Sequence, residues 1–175
     1  MQVDRIPEWA LTPADEAQIV ALLAQAFDTD FGGRSFFRQR HHLRLLARDG
    51  GALVGHMALL WRAVRLGGSL VTVAGLAEVA TAGKRRGEGI AGRLLQVAIA
   101  EALGSSAEFL LLFGTAALYA GAGFRPAANP MLWADMTGAC LGGICREPAR
   151  DLMVLPLRGR EWDDGAELDL LGDVF

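Results

Sequence analysis

Apolar residues follow a helical period in two stretches and a strand period, or short continuous runs, elsewhere. Ile19, Leu22, Leu23, Ala26 and Phe27 recur every three or four positions, which predicts an amphipathic helix. Thr12-Pro13-Ala14-Asp15-Glu16 supplies its start: Thr as the cap, Pro in the first turn, acids facing the positive end of the helix dipole. Asp28 to Gly33 ends it. Leu43 to Arg48 reads as a short strand closed by the hairpin turn Asp49-Gly50-Gly51. Leu53 to Leu66 is a second strand, Gly67-Gly68 turns it back, and Ser69 to Ala82 is a third. These three form an antiparallel meander, with Gly75 the predicted place for a bulge.

A loop rich in glycine and basic residues, Gly83 to Gly89, leads into a second helix. Ile90, Leu94, Val97, Ala98 and Glu101 share one of its faces, with Leu95, Ile99 and Ala102 beside it, so it packs on a sheet. Gly104 ends it. Phe109 to Phe113 is continuously apolar, as expected of a strand covered on both faces. A short helix over Thr115 to Ala120 is closed by Gly121-Ala122-Gly123, and Phe124 opens a strand broken by Pro126 and Pro130. Asp151 to Leu157 is a last strand before an acidic tail. The expected fold class is α/β of the α+β kind: one domain over residues 1–175, with a mixed, mostly antiparallel twisted sheet flanked by helices.

Composition narrows this further. At 175 residues and 52% hydrophobic, the chain can bury a core without staples, and a net charge of −3 excludes general disorder. The apolar runs are far shorter than the roughly 18 residues of a membrane span. Met1 to Trp9 carries Asp4 and Glu8 and lacks a leader's apolar stretch, so a cytoplasmic protein is expected. An isoelectric point of 5.6 argues against a nucleic-acid partner. Cys140 and Cys145 make no disulfide framework, and without nearby His ligands no metal site is expected.

Charge is uneven along the chain: Lys84, Arg85 and Arg86 form a basic spot, whereas Glu161 to Phe175 holds six acids and no Lys or Arg. The tail is either a solvated end or the recruiting surface for a cation. The basic spot belongs to Arg86-Gly87-Glu88-Gly89-Ile90-Ala91, set between a strand and a helix. A bare G-x-G carries little information: 22 glycines yield about 2.7 such pairs by chance, and the sequence has two, Gly87/Gly89 and Gly121/Gly123. The weight rests on context. A helix N-terminus offers free N–H groups and a positive dipole end, glycines admit a bulky anion, and the basic residues add charge, so the loop suits phosphate. The competing reading is an ordinary strand-to-helix connection with a solvated basic turn.

Arg86-x-x-Gly89-x-Ala91 resembles the Arg/Gln-x-x-Gly-x-Gly/Ala signature of the GCN5-related N-acetyltransferases (GNATs). Leu118-Tyr119-x-x-x-Gly123-Phe124 resembles that family's later Tyr-x-x-x-Gly-Phe segment, at the family's spacing. The resemblance implies that the main-chain N–H groups from Gly87 to Ala91 (Gly87, Glu88, Gly89, Ile90, Ala91), with Arg86, hold the pyrophosphate of acetyl-coenzyme A, the cosubstrate. It also implies that Val79, Ala80 and Thr81 run beside the coenzyme, and that a V-shaped opening between the strand ending near Ala82 and that at Phe109 to Phe113 receives the pantetheine. Ala26-Phe27-x-x-Asp30-Phe31, Val154-Leu155-Pro156 and Gly172-Asp173-Val174-Phe175 resemble the aminoglycoside 2'-N-acetyltransferases. His56-Met57-x-Leu59-Leu60 and the final strand are similar to the nodulation N-acyltransferases.

Acetyl transfer to an amine needs a neutral nucleophile, a polarised carbonyl, a donor for the oxyanion and a proton for the thiolate. The resemblance makes Tyr119, the one tyrosine, the general acid; the alternative is a packed ring that merely orders the coenzyme. Glu78, on the strand entering the loop, is the candidate base, directly or through water; otherwise it pairs with one of Lys84 to Arg86. The aminoglycoside enzymes carry their strand glutamate one position earlier, at Ala77, and one position turns a side chain to the other face. A bulge near Gly75 would restore it. His56 reads as a hydrogen-bonded strand histidine, and His41-His42 as surface. Asp30, Asp173 and the terminal carboxylate of Phe175 form the expected acceptor site, since grouped anions recruit a cationic amine. Ser35 stands where a further acid is expected and Phe175 where a terminal Trp is usual. The tryptophans, Trp162 included, read as packing first, with Trp162 also a candidate to line the pocket. The expected reaction is acetylation of a primary amine on a cationic small molecule, aminoglycoside-like, in a ternary complex, with a homodimer compatible. The alternatives are a non-catalytic acyl-CoA-binding module and a longer-chain acyltransferase.

Overall fold

The structure, a computed structural model, describes all residues from 1 to 175. Its contacts divide the chain into two compact units, Met1–Leu60 with Ala77–Ala100, and Trp61–Leu76 with Glu101–Phe175. The division falls within the second and third strands of the predicted meander.

The first unit contains β1 (Gln2–Pro7), α1 (Pro13–Ala26), β2 (Leu43–Asp49), the start of β3 (Ala52–Leu66), the end of β4 (Ser69–Thr81) and most of α2 (Ile90–Gly104). Thr12 and Asp15 close a capping box at the start of α1, the Thr12 hydroxyl accepting from the Asp15 N–H and the Asp15 carboxylate from the Thr12 N–H. This satisfies two of the helix's free donors. β1 runs antiparallel to β2, and β2 antiparallel to β3 with Leu46 opposite His56. Ile19, Leu22 and Leu23 of α1 cluster with Leu46 and Ala80. Gly55 lets α2 approach closely, since a Cβ there would lie 2.6 Å from Ile90 Cγ2 and 3.0 Å from Leu94 Cδ1.

The second unit contains the remainders of β3, β4 and α2, with β5 (Phe109–Phe113), α3 (Ala117–Gly121), β6 (Arg125–Ala127), β7 (Pro130–Ala134), β8 (Ile144–Pro148), β9 (Leu152–Pro156) and β10 (Leu168–Asp169). Its strands lie in the order β6-β9-β5-β4-β3-β10-β7-β8. β5 is parallel to β4 from Val73↔Phe109 to Leu76↔Leu112 and antiparallel to β9; β10 is parallel to β7 and antiparallel to β3. The core gathers Val64, Val73, Phe109, Leu111, Leu152 and Trp162. Trp162 stands edge-on to Phe109, and its indole N–H donates to Asn129 Oδ1 at 2.8 Å. The packing reading of Trp162 therefore holds.

The fold class is that expected: helices with a mixed, mostly antiparallel sheet. The differences are local. The segment ahead of α1, expected as a strand or a loop, is the strand β1; β8 and β10 were not among the predicted strands, and Pro126 and Pro130 belong to two strands, β6 and β7, rather than one interrupted strand. Gly75 is not the bulge. It is a close approach, where a Cβ would lie 2.7 Å from the Phe175 ring. The residue that departs from strand geometry is Glu78, at φ +51°. No helix is long and apolar enough to cross a membrane.

Candidate active site

β4 delivers the chain to the glycine loop. Past Thr81 come a 3₁₀ turn at Gly83–Arg85, an open stretch from Arg86 to Gly89, and α2, whose Arg93 N–H bonds back to the Gly89 carbonyl at 3.1 Å. Gly87 and Gly89 hold φ of +84° and +76°, and a Cβ at either would meet nothing within 4 Å. Glycine is needed here for its backbone conformation, and the space beside the start of α2 is open. Arg85 ties the turn together, donating to Glu88 at 2.7 and 2.8 Å and to Asp49 at 3.0 Å. Those bonds raise the Arg85 pKa, Glu88 contributing before Asp49, and lower that of Glu88. Lys84, Arg86 and Glu88 are exposed, Ala91 is half-buried and Ile90 is buried. Open main-chain amides with two exposed cations fit a diphosphate. Upstream, Ala80 turns its side chain into the α1 cluster, while Val79 and Thr81 are half-buried.

Glu78 lies at the centre of a buried polar knot. Its left-handed φ, costly for a residue with a Cβ, directs the carboxylate to Arg44, whose Nη1 is 3.0 Å from Oε2. Phe37 N–H donates to Oε1 at 2.7 Å, and His41 Nε2 lies 3.1 Å from the same oxygen. Burial pushes the Glu78 pKa up, but His41, Arg44 and His56 outweigh it and hold it below the usual value. The carboxylate is thus ionised at neutral pH. Its partners are Arg44 and His41, not Lys84 to Arg86 as the competing reading had it.

Arg44 is fully buried. It also donates to Glu8 through Nε at 2.7 Å and Nη2 at 3.1 Å, and to the Ser35 carbonyl at 2.9 Å. Its Nη1 lies 3.1 Å from His56 Nε2. A guanidinium only donates, so His56 Nε2 accepts and Nδ1 carries the hydrogen, which is given to the Glu78 carbonyl at 2.7 Å. Burial, then the neighbouring Arg44 charge, lowers the His56 pKa to about 4. His56 is the hydrogen-bonded strand histidine the sequence suggested. His41 is buried, against the expectation of surface for His41-His42, while His42 is exposed.

The remaining candidates fall in different surroundings. Tyr119, on α3, is buried and edge-on to Phe124 with ring centroids 6.0 Å apart. Burial raises its pKa, so the phenol keeps its proton at neutral pH. Asp30 is exposed, its Oδ1 accepting the Gly32 N–H at 2.6 Å. It lines a cleft of about 240 Å³ with Asp28, Phe27, Phe31 and Arg34. Asp173 is buried; its Oδ1 accepts the Val174 N–H at 2.8 Å and its carbonyl accepts Arg62 Nη2 at 2.5 Å. The Arg62 guanidinium lies 4.8 Å from the Phe175 ring centroid, and Phe113 meets that ring edge-on at 5.4 Å. Asp173 and Phe175 are thus brought together by Arg62.

The sequence reading did not single out Arg44, Arg62, His41 or the Phe37 N–H. For Arg44 a signal existed: a charge between Leu43 and Leu45, in a strand apolar on either side, needs a buried partner.

A strand, a glycine turn with open space beside it and a helix follow in this order within a mixed sheet. A sequence profile of the Acetyltransferase (GNAT) domain family matches residues 10–127, and the chain belongs to that family. It is an acetyl-CoA-dependent N-acetyltransferase. Among solved structures, the chain is similar to the GNAT family N-acetyltransferase YhbS of Escherichia coli, in complex with CoA, at TM-score 0.64 and 21% identity, covering 96% of this chain and 88% of that one. It is also similar to a GNAT family acetyltransferase of Brucella melitensis, in complex with acetyl-CoA, at TM-score 0.56 and 20% identity over 95% and 94%. A third is the ribosomal-protein-S18-alanine N-acetyltransferase of Escherichia coli, at TM-score 0.61 and 17% identity over 91% and 97%. These likenesses establish the fold. No curated protein matches the sequence.

Proposed function

We propose that residues 1–175 act as one catalytic domain that transfers the acetyl group of acetyl-CoA to a primary amine on a cationic small molecule. Attack is direct, in a ternary complex, with no acyl-enzyme. The observation that carries the reading is the pair Gly87 and Gly89, left-handed with open space where a side chain would stand, at the start of α2. In this reading the N–H groups of Gly87, Glu88, Gly89, Ile90 and Ala91 hold the pyrophosphate, Arg86 adds charge, and the main chain of Val79, Ala80 and Thr81 lies along the coenzyme. Tyr119 supplies the proton for the departing thiolate; its raised pKa keeps that proton in place until a stronger base forms beside it. Glu78 is the carboxylate on which the base function rests.

The acceptor class is supported by the cleft at Asp30, where Asp28 and Asp30 offer charge and Phe27 and Phe31 offer ring faces to a cation. Asp173 and Phe175 are assigned to the same task. Polyamines and aminoglycosides are the compounds of this chemistry to try first. The test is calorimetry with coenzyme A on wild type and on Gly89→Asp, followed by thiol release with acetyl-CoA and an amine panel. Wild type should bind. Gly89→Asp should not, since a side chain at φ +76° is strained and its carboxylate repels the pyrophosphate. Equal affinity would remove the loop assignment. Coenzyme binding without turnover on any amine would favour a non-catalytic module, and preference for longer acyl donors a different acyltransferase.

A further inference from the structure

We infer that His41 is the base of this reaction, with Glu78 the carboxylate that orients it. The inference rests on the acetyltransferase reading above and assigns a role that reading left to Glu78.

Within the knot around Arg44, nearly every polar atom is satisfied. Glu78 Oε2 faces Arg44, Oε1 accepts from Phe37, and both ring nitrogens of His56 are engaged. His41 is the exception. Its side chain is 6% exposed and its Nε2 lies 3.1 Å from Glu78 Oε1. Both ring nitrogens are shielded from solvent, and neither has a partner in hydrogen-bond geometry. Ser35 Oγ, from the same segment between α1 and β2, is likewise buried and unpartnered. Unsatisfied buried polar atoms are rare and call for a reason. Three such atoms on two side chains of one segment, beside the strand that enters the coenzyme loop, suit groups whose partner is the reacting molecule.

The electrostatics assign the proton on His41. Glu78 is ionised and surrounded by donors, so it accepts a hydrogen bond but is a poor proton acceptor. Nε2 is the ring nitrogen nearest that carboxylate, so the His41 hydrogen is assigned there and Nδ1 keeps a lone pair. A carboxylate behind one nitrogen of an imidazole fixes its tautomer and stabilises the imidazolium that forms when the other takes a proton. His56 is in the opposite tautomer and has no free nitrogen. The charged and titratable groups around His41 are Glu78 on β4, Arg44 on β2, His56 on β3 and Glu8 in the turn after β1.

In the step itself, the amine lone pair forms the N–C bond to the thioester carbonyl carbon. The C–S bond breaks with its electron pair leaving on sulfur. The proton lost by nitrogen passes to His41 Nδ1, directly or through one water, and Tyr119 protonates the thiolate. Starting from the ammonium form, one turnover yields amide, thiol and one proton to solvent.

Nitrogen-15 NMR of histidine-labelled wild-type protein tests the arrangement without any substrate. The expected result near neutral pH is two buried imidazoles of opposite tautomer, Nδ1–H for His56 and Nε2–H for His41; an Nδ1–H tautomer or a lasting imidazolium at His41 would overturn the inference. Turnover of acetyl-CoA by water, spermidine and kanamycin supplies the kinetic arm. His41→Gln should lower it about 100-fold or more while coenzyme A affinity stays within twofold, and added imidazole should restore part of the rate to His41→Gly. Unchanged turnover in His41→Gln, with coenzyme bound, sinks the role of His41 alone. Failure of wild type to bind coenzyme A, or to turn over acetyl-CoA at all, sinks the acetyltransferase reading instead.

Discussion

Arg44 and Arg62 are both withdrawn from solvent, and the two units keep them charged in different ways. Arg44, in the first unit, is neutralised by two carboxylates, Glu8 and Glu78, with a carbonyl and an imidazole completing its shell. Arg62, in the second, has a carbonyl, an aromatic face and the more diffuse charge of Asp173, and its Nε is buried without a partner. Burial accordingly pulls the Arg62 pKa down to about 10, with Asp173 opposing. The first arrangement is a closed ionic knot that fixes the Glu78 main chain. The second is a latch whose closing part is the segment Asp173–Phe175. A knot resists change because removing one member strands the others, while a latch can open with little loss.

Five measurements separate the two. The largest effect should follow Arg44→Met, which leaves the buried Glu78 without its guanidinium and Glu8 with Arg40 alone, and should cost about 3–5 kcal/mol in urea unfolding. A loss under about 1 kcal/mol would make the knot no stronger than a surface pair.

Next comes acid. His56 is neutral in the fold with a pKa of about 4, below its ordinary 6.5. The unfolded chain therefore binds the extra proton between those values. Its stabilising contribution is complete above 6.5 and is lost as pH falls toward 4, on the order of 3 kcal/mol. Glu78, with its pKa lowered, adds a loss of the same sign below 4.5. His56→Gln should flatten the slope of stability between pH 6.5 and 4, and an unchanged slope would place the acid sensitivity elsewhere.

A smaller effect is expected from Gly75→Ala, whose Cβ would press on the Phe175 ring at 2.7 Å. Overpacking costs about 1–3 kcal/mol. Combined with removal of Asp173–Phe175, the penalty should vanish, and a penalty that persists would mean the strand itself rejects the methyl group. Smallest is Arg62→Met, at about 1 kcal/mol or less in stability. Removing Asp173–Phe175 should raise the acceptor KM and leave acetyl-CoA affinity alone; an unchanged KM would leave the tail without an acceptor role.

How much of this was legible in the sequence follows from where each signal resides. α1, β2 to β5 and α2 were readable because each carries its own periodicity and its own stop: Thr12 and Asp15, the paired glycines, Gly104. β1 was not. Its sequence Gln-Val-Asp-Arg-Ile-Pro is polar and partly exposed, and it is a strand because β2 offers hydrogen bonds. β8 and β10 are likewise made by their neighbours. At the site, the conformation of the glycine loop was readable because its signal is local to six residues. The surroundings of Glu78 were not, because His41, Arg44 and Phe37 reach it across strand pairing that no sequence window spans. The one-position offset at Ala77 called for a bulge near Gly75 to restore the face; the residue that departs from strand geometry is Glu78.

The Arg85 tie to Glu88 and Asp49 bears on how the loop meets an anion. Arg85 spends its charge on two carboxylates, so Lys84 and Arg86 carry the loop's free positive field. Added salt weakens that field, since exposed charges are screened over about 8–10 Å near physiological ionic strength. It also loosens Arg85 from Glu88 and Asp49, freeing a third cation to exchange its side-chain partners for phosphate oxygens. Opposed in this way, the two responses should leave coenzyme affinity less sensitive to salt than three unpaired cations would make it.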